Sequence, residues 1–154
     1  MISDKARGMS RPEFIKHSLE LGRKGEELFR VILDKRKIAY RLPTAGENMK
    51  RHVDFWIGPK DDLGVDVKGL KSAHKEGYVV VEAKNVQGKG GWCSPTASAK
   101  LIAFQFEDGF IVVSKEQLWD LIQPNLKQLP HVGKFSPKDV CGKPFTRKGR
   151  KDLI

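Results

Sequence analysis

The chain has 154 residues, of which 39% are hydrophobic and 31% are charged, a balance that excludes a fibre or a wholly disordered chain. Lys and Arg outnumber Asp and Glu by 29 to 19, and the formal net charge is +10, so a polyanionic partner such as nucleic acid is favoured over a merely solubilising surface. No stretch has about 18 consecutive apolar residues and the first residues lack an apolar signal core, so we expect a cytoplasmic protein without a membrane partner.

The N-terminal part of the chain predicts helix. Residues 11–37 place apolar side chains such as Phe14, Leu28 and Leu33 at helical spacing. Gly22 and Gly25 interrupt this pattern, so the sequence predicts a short lead followed by a longer helix.

The middle of the chain alternates between strand and turn signals. It predicts strands over 38–43, 52–58 and 63–70, with a loop at 44–51 and a turn at 59–62. After a polar loop at 71–77, residues 78–86 predict a further strand, and the Gly-rich residues 87–98 an irregular loop.

The last part predicts two short strands, 100–106 and 111–114, about a turn, then a helix over 115–126 that Pro124 ends or kinks. We therefore expect one α/β domain over 1–154, with a mixed central sheet flanked by helices and flexible basic ends at 1–12 and 143–154. Cys93 and Cys141 lack the CxxC spacing of a zinc site and are expected to be reduced thiols.

Two neighbouring predicted strands carry acids among apolar residues: Asp54 in "HVDFWIG", and Asp66 two residues before Lys68 in "LGVDVKGL". An isolated buried carboxylate is costly unless it is paired, hydrogen-bonded or bound to a metal. Alternate strand residues share a face, so Asp66 and Lys68 should point the same way and Val67 the other way. If the two strands pair antiparallel, Asp54 can lie across from Asp66.

Two carboxylates that close favour a hard cation between them. Oxygen ligands from Asp54, Asp66 and a backbone carbonyl suit Mg²⁺ or Mn²⁺, which keep several waters and add substrate phosphate oxygens. The metal would acidify a water and polarise a phosphodiester, and Lys68 would orient or deprotonate the nucleophile or stabilise the developing negative charge. The alternative is an exposed hairpin with an ordinary ion pair, since a DxK triplet alone is common by chance.

The order of a helical Glu26 in "GRKGEELF", Asp54 in "HVDFWI" and then "VDVKG" resembles the PD-(D/E)xK nucleases. Residues 24–57 are most similar to the opening of the archaeal-type Holliday junction resolvases and their phage relatives. The resemblance implies a restriction-endonuclease-like core and a Mg²⁺-dependent endodeoxyribonuclease, with Mn²⁺ as a substitute. It assigns catalytic roles to Glu26, Asp54, Asp66 and Lys68.

Within that resemblance, the implied metal ligands are Asp54, Asp66 and the Val67 backbone carbonyl, with Glu26 acting through a water. The chain departs from the family pattern in having Val53 in place of the Pro of the family name, and in having Asp66 where the resolvases usually carry Glu.

A second acid-x-Lys triplet, Glu82 and Lys84, follows in the predicted strand 78–86. It offers a rival register for the catalytic pair, but it would leave "GVDVKGL" as an unexplained intervening strand. We favour Asp66 and Lys68 and keep Glu82 as a supporting metal ligand.

Several residues near the ends of the site elements are expected to contact DNA phosphates: Arg23, Lys24, Thr44, Lys50, Arg51, Lys71, Lys75 and Lys89. His52 could reach phosphate or a metal-bound water, but a solvent-facing or packed histidine is the expected reading. Trp92 could stack on an unpaired base, although an aromatic residue that anchors the irregular loop to the core is favoured.

The expected function is therefore a metal-dependent endonuclease selective for branched DNA such as a four-way junction, acting as a homodimer, in the host cytoplasm if the chain is phage-encoded. The alternatives are a less selective nuclease acting on flaps or linear DNA, and a nucleic-acid-binding module that does not cleave. A module that only bound phosphate would have little use for acids facing a polyanion.

Overall fold

The computed structural model describes residues 10–60, 62–83 and 89–126. Their fold is α/β, with a five-stranded mixed sheet flanked by helices. The predicted basic ends fall outside the described residues, except for 10–12. The helices are α1 (Arg11–Lys35), α2 (Ala45–Arg51), α3 (Ser72–Lys75) and α4 (Lys115–Ile122), and the strands are β1 (Tyr40–Arg41), β2 (Phe55–Ile57), β3 (Leu63–Lys68), β4 (Leu101–Phe106) and β5 (Gly109–Ser114).

The strands lie side by side in chain order, β1 to β5. Strands β1, β2 and β3 pair antiparallel, with Phe55 opposite Val65. Strand β4 then pairs parallel with β3, with Lys68 opposite Phe104, and β5 returns antiparallel to β4. Since a parallel pair requires a crossover, the segment between β3 and β4 has to pass over the sheet.

Helix α1 is continuous, so the prediction of a break at Gly22 and Gly25 is wrong. Ser10 begins the helix with a capping box, in which the Glu13 carboxylate accepts a 2.8 Å hydrogen bond from the Ser10 N–H. A Cβ at Gly22 would meet no atom within 4 Å, whereas one at Gly25 would lie 2.9 Å from Gly69 Cα. Gly25 therefore serves close packing of the helix on the sheet rather than helix termination.

The residues between β1 and β2 were predicted to form a loop, and that prediction is also wrong. They form α2, because Thr44 and Glu47 make a second capping box: the Glu47 N–H donates to Thr44 Oγ1 at 3.3 Å and the Thr44 N–H donates to the Glu47 carboxylate at 2.8 Å. The helix ends at His52, whose φ of 50° is left-handed.

Apolar side chains cover both faces of the sheet. On one face, Phe29 and Leu33 of α1 pack against Phe55, Val65 and Val67. On the opposite face, α4 and the segment between β3 and β4 pack over the strands. The buried members of this second cluster are Val53, Val81, Ala83, Trp92, Cys93, Ala99, Ile102, Phe104 and Ile122.

The crossover segment differs from its prediction. The polar loop contains the short helix α3, and residues 78–83 of the predicted further strand are not a strand. Val81 and Ala83 are nevertheless buried in the core, so their apolar pattern reflects packing on the sheet rather than pairing within it. Residues 84–86 of that predicted strand lie outside the described residues.

The C-terminal predictions agree better with the structure. Strands β4 and β5 form the expected hairpin, and Ser114 caps α4 by accepting a 3.3 Å hydrogen bond from the Gln117 N–H. The helix passes into a 3₁₀ turn, Gln123–Asn125, at Pro124, as expected for a residue without a backbone donor. No helix in the described part of the chain has the length and apolar character needed to span a bilayer.

Candidate active site

Strand β3 brings Asp66 and Lys68 to the same face of the sheet. Asp66 is 4% exposed, and its Oδ2 atom lies 2.8 Å from Lys68 Nζ. The Lys68 ammonium is the cation that compensates this buried oxygen. The DxK triplet is a buried pair and not the exposed hairpin of the alternative interpretation.

Asp54 lies immediately before β2, beside the end of β3. Its Oδ2 atom accepts a 2.7 Å hydrogen bond from the Val67 N–H, and its Oδ1 atom accepts one of 3.1 Å from Asn48 Nδ2. The Asp54 N–H donates to the Val65 carbonyl at 2.8 Å. Both carboxylate oxygens and the backbone are thus tied to neighbouring elements, which fixes the direction of the side chain.

Glu26 reaches the same region from α1. Its neighbour Gly25 packs against Gly69, directly after Lys68, and a Cβ at either glycine would collide with the other segment. The two glycines let the helix approach the end of β3 closely enough for Glu26 to interact electrostatically with both Asp54 and Asp66.

Burial raises the pKa of all three carboxyl groups. Burial, followed by repulsion from Asp54 and Asp66, raises the pKa of Glu26 to about 7. Burial also raises the pKa of Asp66 to about 6, against the attraction of Lys68. Burial raises the pKa of Asp54 as well, although the Val67 N–H and Lys68 oppose the shift. The described site thus contains more negative charge than Lys68 alone offsets.

This donor set fits a hard divalent cation in part. Among residues 10–60, 62–83 and 89–126, no three His, Cys, Asp or Glu side chains converge closely enough to hold an ion by themselves. Mg²⁺, however, usually takes only one or two protein carboxylates and completes its shell with water and phosphate oxygens. Lys68 is the counter-ion of the buried Asp66 Oδ2, and the remaining negative charge of Glu26, Asp54 and Asp66 is the kind of charge that such an ion offsets.

The loop around Trp92, within residues 89–98, covers Lys68. The Lys68 Nζ atom lies 4.5 Å from the centre of the Trp92 ring, and Trp92 is 8% exposed. This burial favours the core-anchoring interpretation of Trp92 over stacking on an unpaired base. Lys115 of α4 stabilises this loop. It is buried, and its Nζ atom donates to the Ser94 carbonyl at 3.0 Å and also to the Ala97 carbonyl.

Of the rival triplet, the structure describes Glu82 but not Lys84. Glu82 is partly buried and borders the Trp92 loop, because its carbonyl accepts a 3.2 Å hydrogen bond from the Cys93 N–H. The negative charge of Glu82 raises the pKa of Lys71, against the effect of desolvation. Glu82 is not among the groups that shift the pKa of Glu26, Asp54 or Asp66. Lys84 lies outside the described residues.

Lys71 extends the site beyond Lys68. The residue is exposed, yet its surroundings are dense enough for desolvation to lower its pKa, with repulsion from Lys68 in the same direction and attraction from Glu82 and Asp66 against it. A second ammonium near Lys68 is a suitable contact for a phosphate group.

The other expected DNA contacts are distributed around the site. Arg23 and Lys24 are exposed on α1, and the charge of Arg23 opposes the rise in the pKa of Glu26. Thr44 caps α2. Lys75 and Lys89 are exposed, and His52 faces solvent as expected. The side chains of Lys50 and Arg51 are outside the described part of the structure.

Three residues that hold the site were missed by the sequence analysis: Asn48, Gln105 and Lys115. Asn48 was assigned to a loop, although the T-x-x-E pattern before it signals a helix start. Gln105 lies in β4, and its Oε1 atom accepts a 3.0 Å hydrogen bond from the Leu70 N–H after β3. No local pattern distinguishes Lys115 from an exposed lysine at a helix start.

Comparison of the chain with protein-family models, with curated proteins and with solved structures returns no match. The expected resemblance to the PD-(D/E)xK nucleases therefore rests on the sequence motif alone, Glu26, Asp54, Asp66 and Lys68.

Proposed function

We propose that this protein is a metal-dependent DNA endonuclease with a restriction-endonuclease-like core of the PD-(D/E)xK type. The observation that best supports the proposal is the meeting of Asp54, Asp66 and Lys68 at the end of β3, with Glu26 brought in by the Gly25–Gly69 contact. A structural ion pair needs one acid and one base, whereas this cluster has one buried carboxylate, Asp66, and two partly buried ones, Glu26 and Asp54, around Lys68.

Asp54, Asp66 and the Val67 backbone carbonyl would hold Mg²⁺, or Mn²⁺ in its place, and Glu26 would act through a water. When bound, the ion lowers the pKa of a coordinated water and polarises a phosphodiester.

The chain's own groups have separable roles in this proposal. Lys68 keeps a positive charge beside the carboxylates and is suited to stabilise negative charge that develops on a phosphate. Glu26, with a pKa of about 7, is suited to accept a proton from a water near neutral pH. Asp54 is held by Asn48 and the Val67 N–H, so its position does not have to be organised during the reaction.

The substrate is proposed from charge and resemblance. A net charge of +10 and the exposed Arg23, Lys24 and Lys75 favour a duplex with several phosphate contacts. The resemblance to the resolvases favours branched DNA, cut by a homodimer whose two sites nick opposite strands.

The test is a cleavage assay with labelled four-way junction, flap, single-stranded and linear duplex DNA of matched length. Each substrate is incubated with Mg²⁺, Mn²⁺ or a chelator. Junction cleavage that requires the metal supports the whole proposal. Metal-dependent cleavage of every substrate would leave a general nuclease, and binding without cleavage under any metal would identify a binding module and overturn the proposed enzyme.

A further inference from the structure

The ammonium of Lys68 is held from two sides by groups of different chemistry. Asp66 Oδ2 lies 2.8 Å from Nζ, and the face of the Trp92 ring lies on another side, with its centre 4.5 Å from the same atom. The Lys68 side chain is only 18% exposed. Such a distance is typical of an attractive cation–π contact.

The loop around Trp92 is tightly built. The Gly91 N–H donates to the Ala83 carbonyl at 3.0 Å, and a Cβ at Gly91 would collide with the Glu82 backbone. Cys93 is fully buried, and Lys115 donates to the carbonyls of Ser94 and Ala97. The ring of Trp92 also packs edge-on against Phe104, with 5.9 Å between ring centres.

These contacts leave little freedom for the indole ring. Phe104 lies opposite Lys68 in the β3–β4 register, so Trp92 is supported by the strand next to the one that carries its cation. The ring is thus held by the fold independently of Lys68.

We propose that Trp92 is a positioning residue, whose ring face holds the Lys68 ammonium at the carboxylate cluster. This inference rests on the proposed function of Lys68 and extends it to a residue 24 positions further along the chain.

An aromatic ring suits this role better than a second acid would. The ring attracts the ammonium through its quadrupole, but it carries no net charge that would offset the positive charge of Lys68. Lys68 is therefore fixed in place while its charge remains available to a phosphate. A second carboxylate would also hold Lys68, but its negative charge would repel a substrate phosphate.

The contact is first tested by NMR on metal-free protein labelled with ¹³C-lysine, with the Lys68 signal assigned from its loss in Lys68→Arg. Because ring currents shift nuclei above a ring face, the Lys68 ε-methylene signal should lie upfield of those of exposed lysines. It should move to the ordinary position in Trp92→Leu and stay upfield in Trp92→Phe. An ordinary position in the wild-type protein would overturn the proposal, whatever the activity.

The consequence for catalysis is tested by single-turnover cleavage with saturating DNA. Trp92→Leu should lower the rate roughly 5- to 30-fold, the range expected from a partly buried cation–π contact, with DNA affinity unchanged, and Trp92→Phe should restore most of the rate. Trp119→Leu is the matched control, because Trp119 packs against the same core cluster but is not the ring over Lys68.

The experiments distinguish a failure of the proposed nuclease function from a failure of the proposed role of Trp92. A protein that cleaves no DNA would refute the proposed nuclease, while the Lys68 signal would still support or overturn the contact with Trp92. An active protein in which Trp92→Leu cleaves as fast as Trp119→Leu would overturn the positioning role alone.

Discussion

The backbone N–H of Val67 donates a 2.7 Å hydrogen bond to Asp54 Oδ2, which ties the carboxylate before β2 to the strand that carries Asp66 and Lys68. The bond spans 13 positions of the chain and does not depend on any side chain of β3. Substitutions of Asp66 or Lys68 should therefore leave Asp54 in place, so each acid can be tested separately.

Replacing Asp54 by Asn removes a proposed metal ligand and a negative charge near the substrate phosphate. We expect Asp54→Asn to abolish cleavage and to preserve or tighten DNA binding, as measured by cleavage and by titration with labelled DNA. Asp34→Asn, which neutralises an exposed acid on α1, is the control for net charge. Wild-type cleavage by Asp54→Asn would rule out the proposed site.

The two acid-x-Lys triplets make opposite predictions. Lys68→Ala should lower turnover by roughly two orders of magnitude or more, the scale for loss of one positioned charge-stabilising or acid–base group. Lys84→Ala should have a much smaller effect. If the ranking is reversed, the catalytic lysine is Lys84 and the assignment of β3 as the catalytic strand is wrong.

Two glycines of the same helix are predicted to differ in their response to alanine. Gly25→Ala should destabilise the fold by about 1–3 kcal/mol, because the new Cβ meets Gly69 Cα and forces α1 from the sheet. Gly22→Ala, in open space, should be neutral or stabilise by up to about 1 kcal/mol. Urea unfolding of both variants measures the difference, and equal effects would contradict the close packing described above.

The raised pKa of Glu26 predicts how stability depends on pH without metal. Its folded pKa of about 7 exceeds the ordinary 4.5, so its contribution to stability is fully present below about 4.5 and is lost as pH rises through about 7. The stability of the wild-type protein relative to Glu26→Gln should therefore fall from about pH 5 to about pH 8.

Thermal unfolding in chelator across this pH range measures that difference. Mg²⁺ should reduce the fall, since a cation favours the ionised carboxylates. Parallel curves for the two proteins would show that Glu26 titrates normally.

Salt tests the preference for branched DNA. Any duplex binds a basic surface at low salt, whereas a junction lets a dimer contact several arms at once. Near physiological salt, with competitor DNA, we expect symmetric nicking of a four-way junction and release of uncut linear duplex. Equal cleavage of both would reject junction selectivity and keep the same residues in a general nuclease.

Sequence periodicity predicted best the strands and helices that are defined by residues close together in the chain. The β4–β5 hairpin and α4 need only neighbouring residues to define them, and they agree with the structure. Gly25 lies inside α1 because the helix packs closely on Gly69, 44 positions away, and local helix propensity does not contain that contact.

The candidate site shows the same division. Asp66 and Lys68 share a face because strands alternate, and this followed from their spacing alone. The supports of the site come from elsewhere: Asn48 from a helix that was taken for a loop, and Lys115 from the start of α4. Residues 78–83 looked like a strand because they are apolar, but their burial comes from packing over the sheet.

The parallel pairing of β3 with β4 also has a kinetic consequence. Lys68 lies opposite Phe104, so 36 positions of chain must close into a loop before these strands can align, and closure of long loops slows the formation of non-local contacts. Helix α1 and strands β1 to β3 are joined by shorter connections and can associate earlier. During refolding, the carboxylates should therefore come together before Trp92 covers Lys68. Burial of the Trp92 indole ring should lag behind the formation of helix α1.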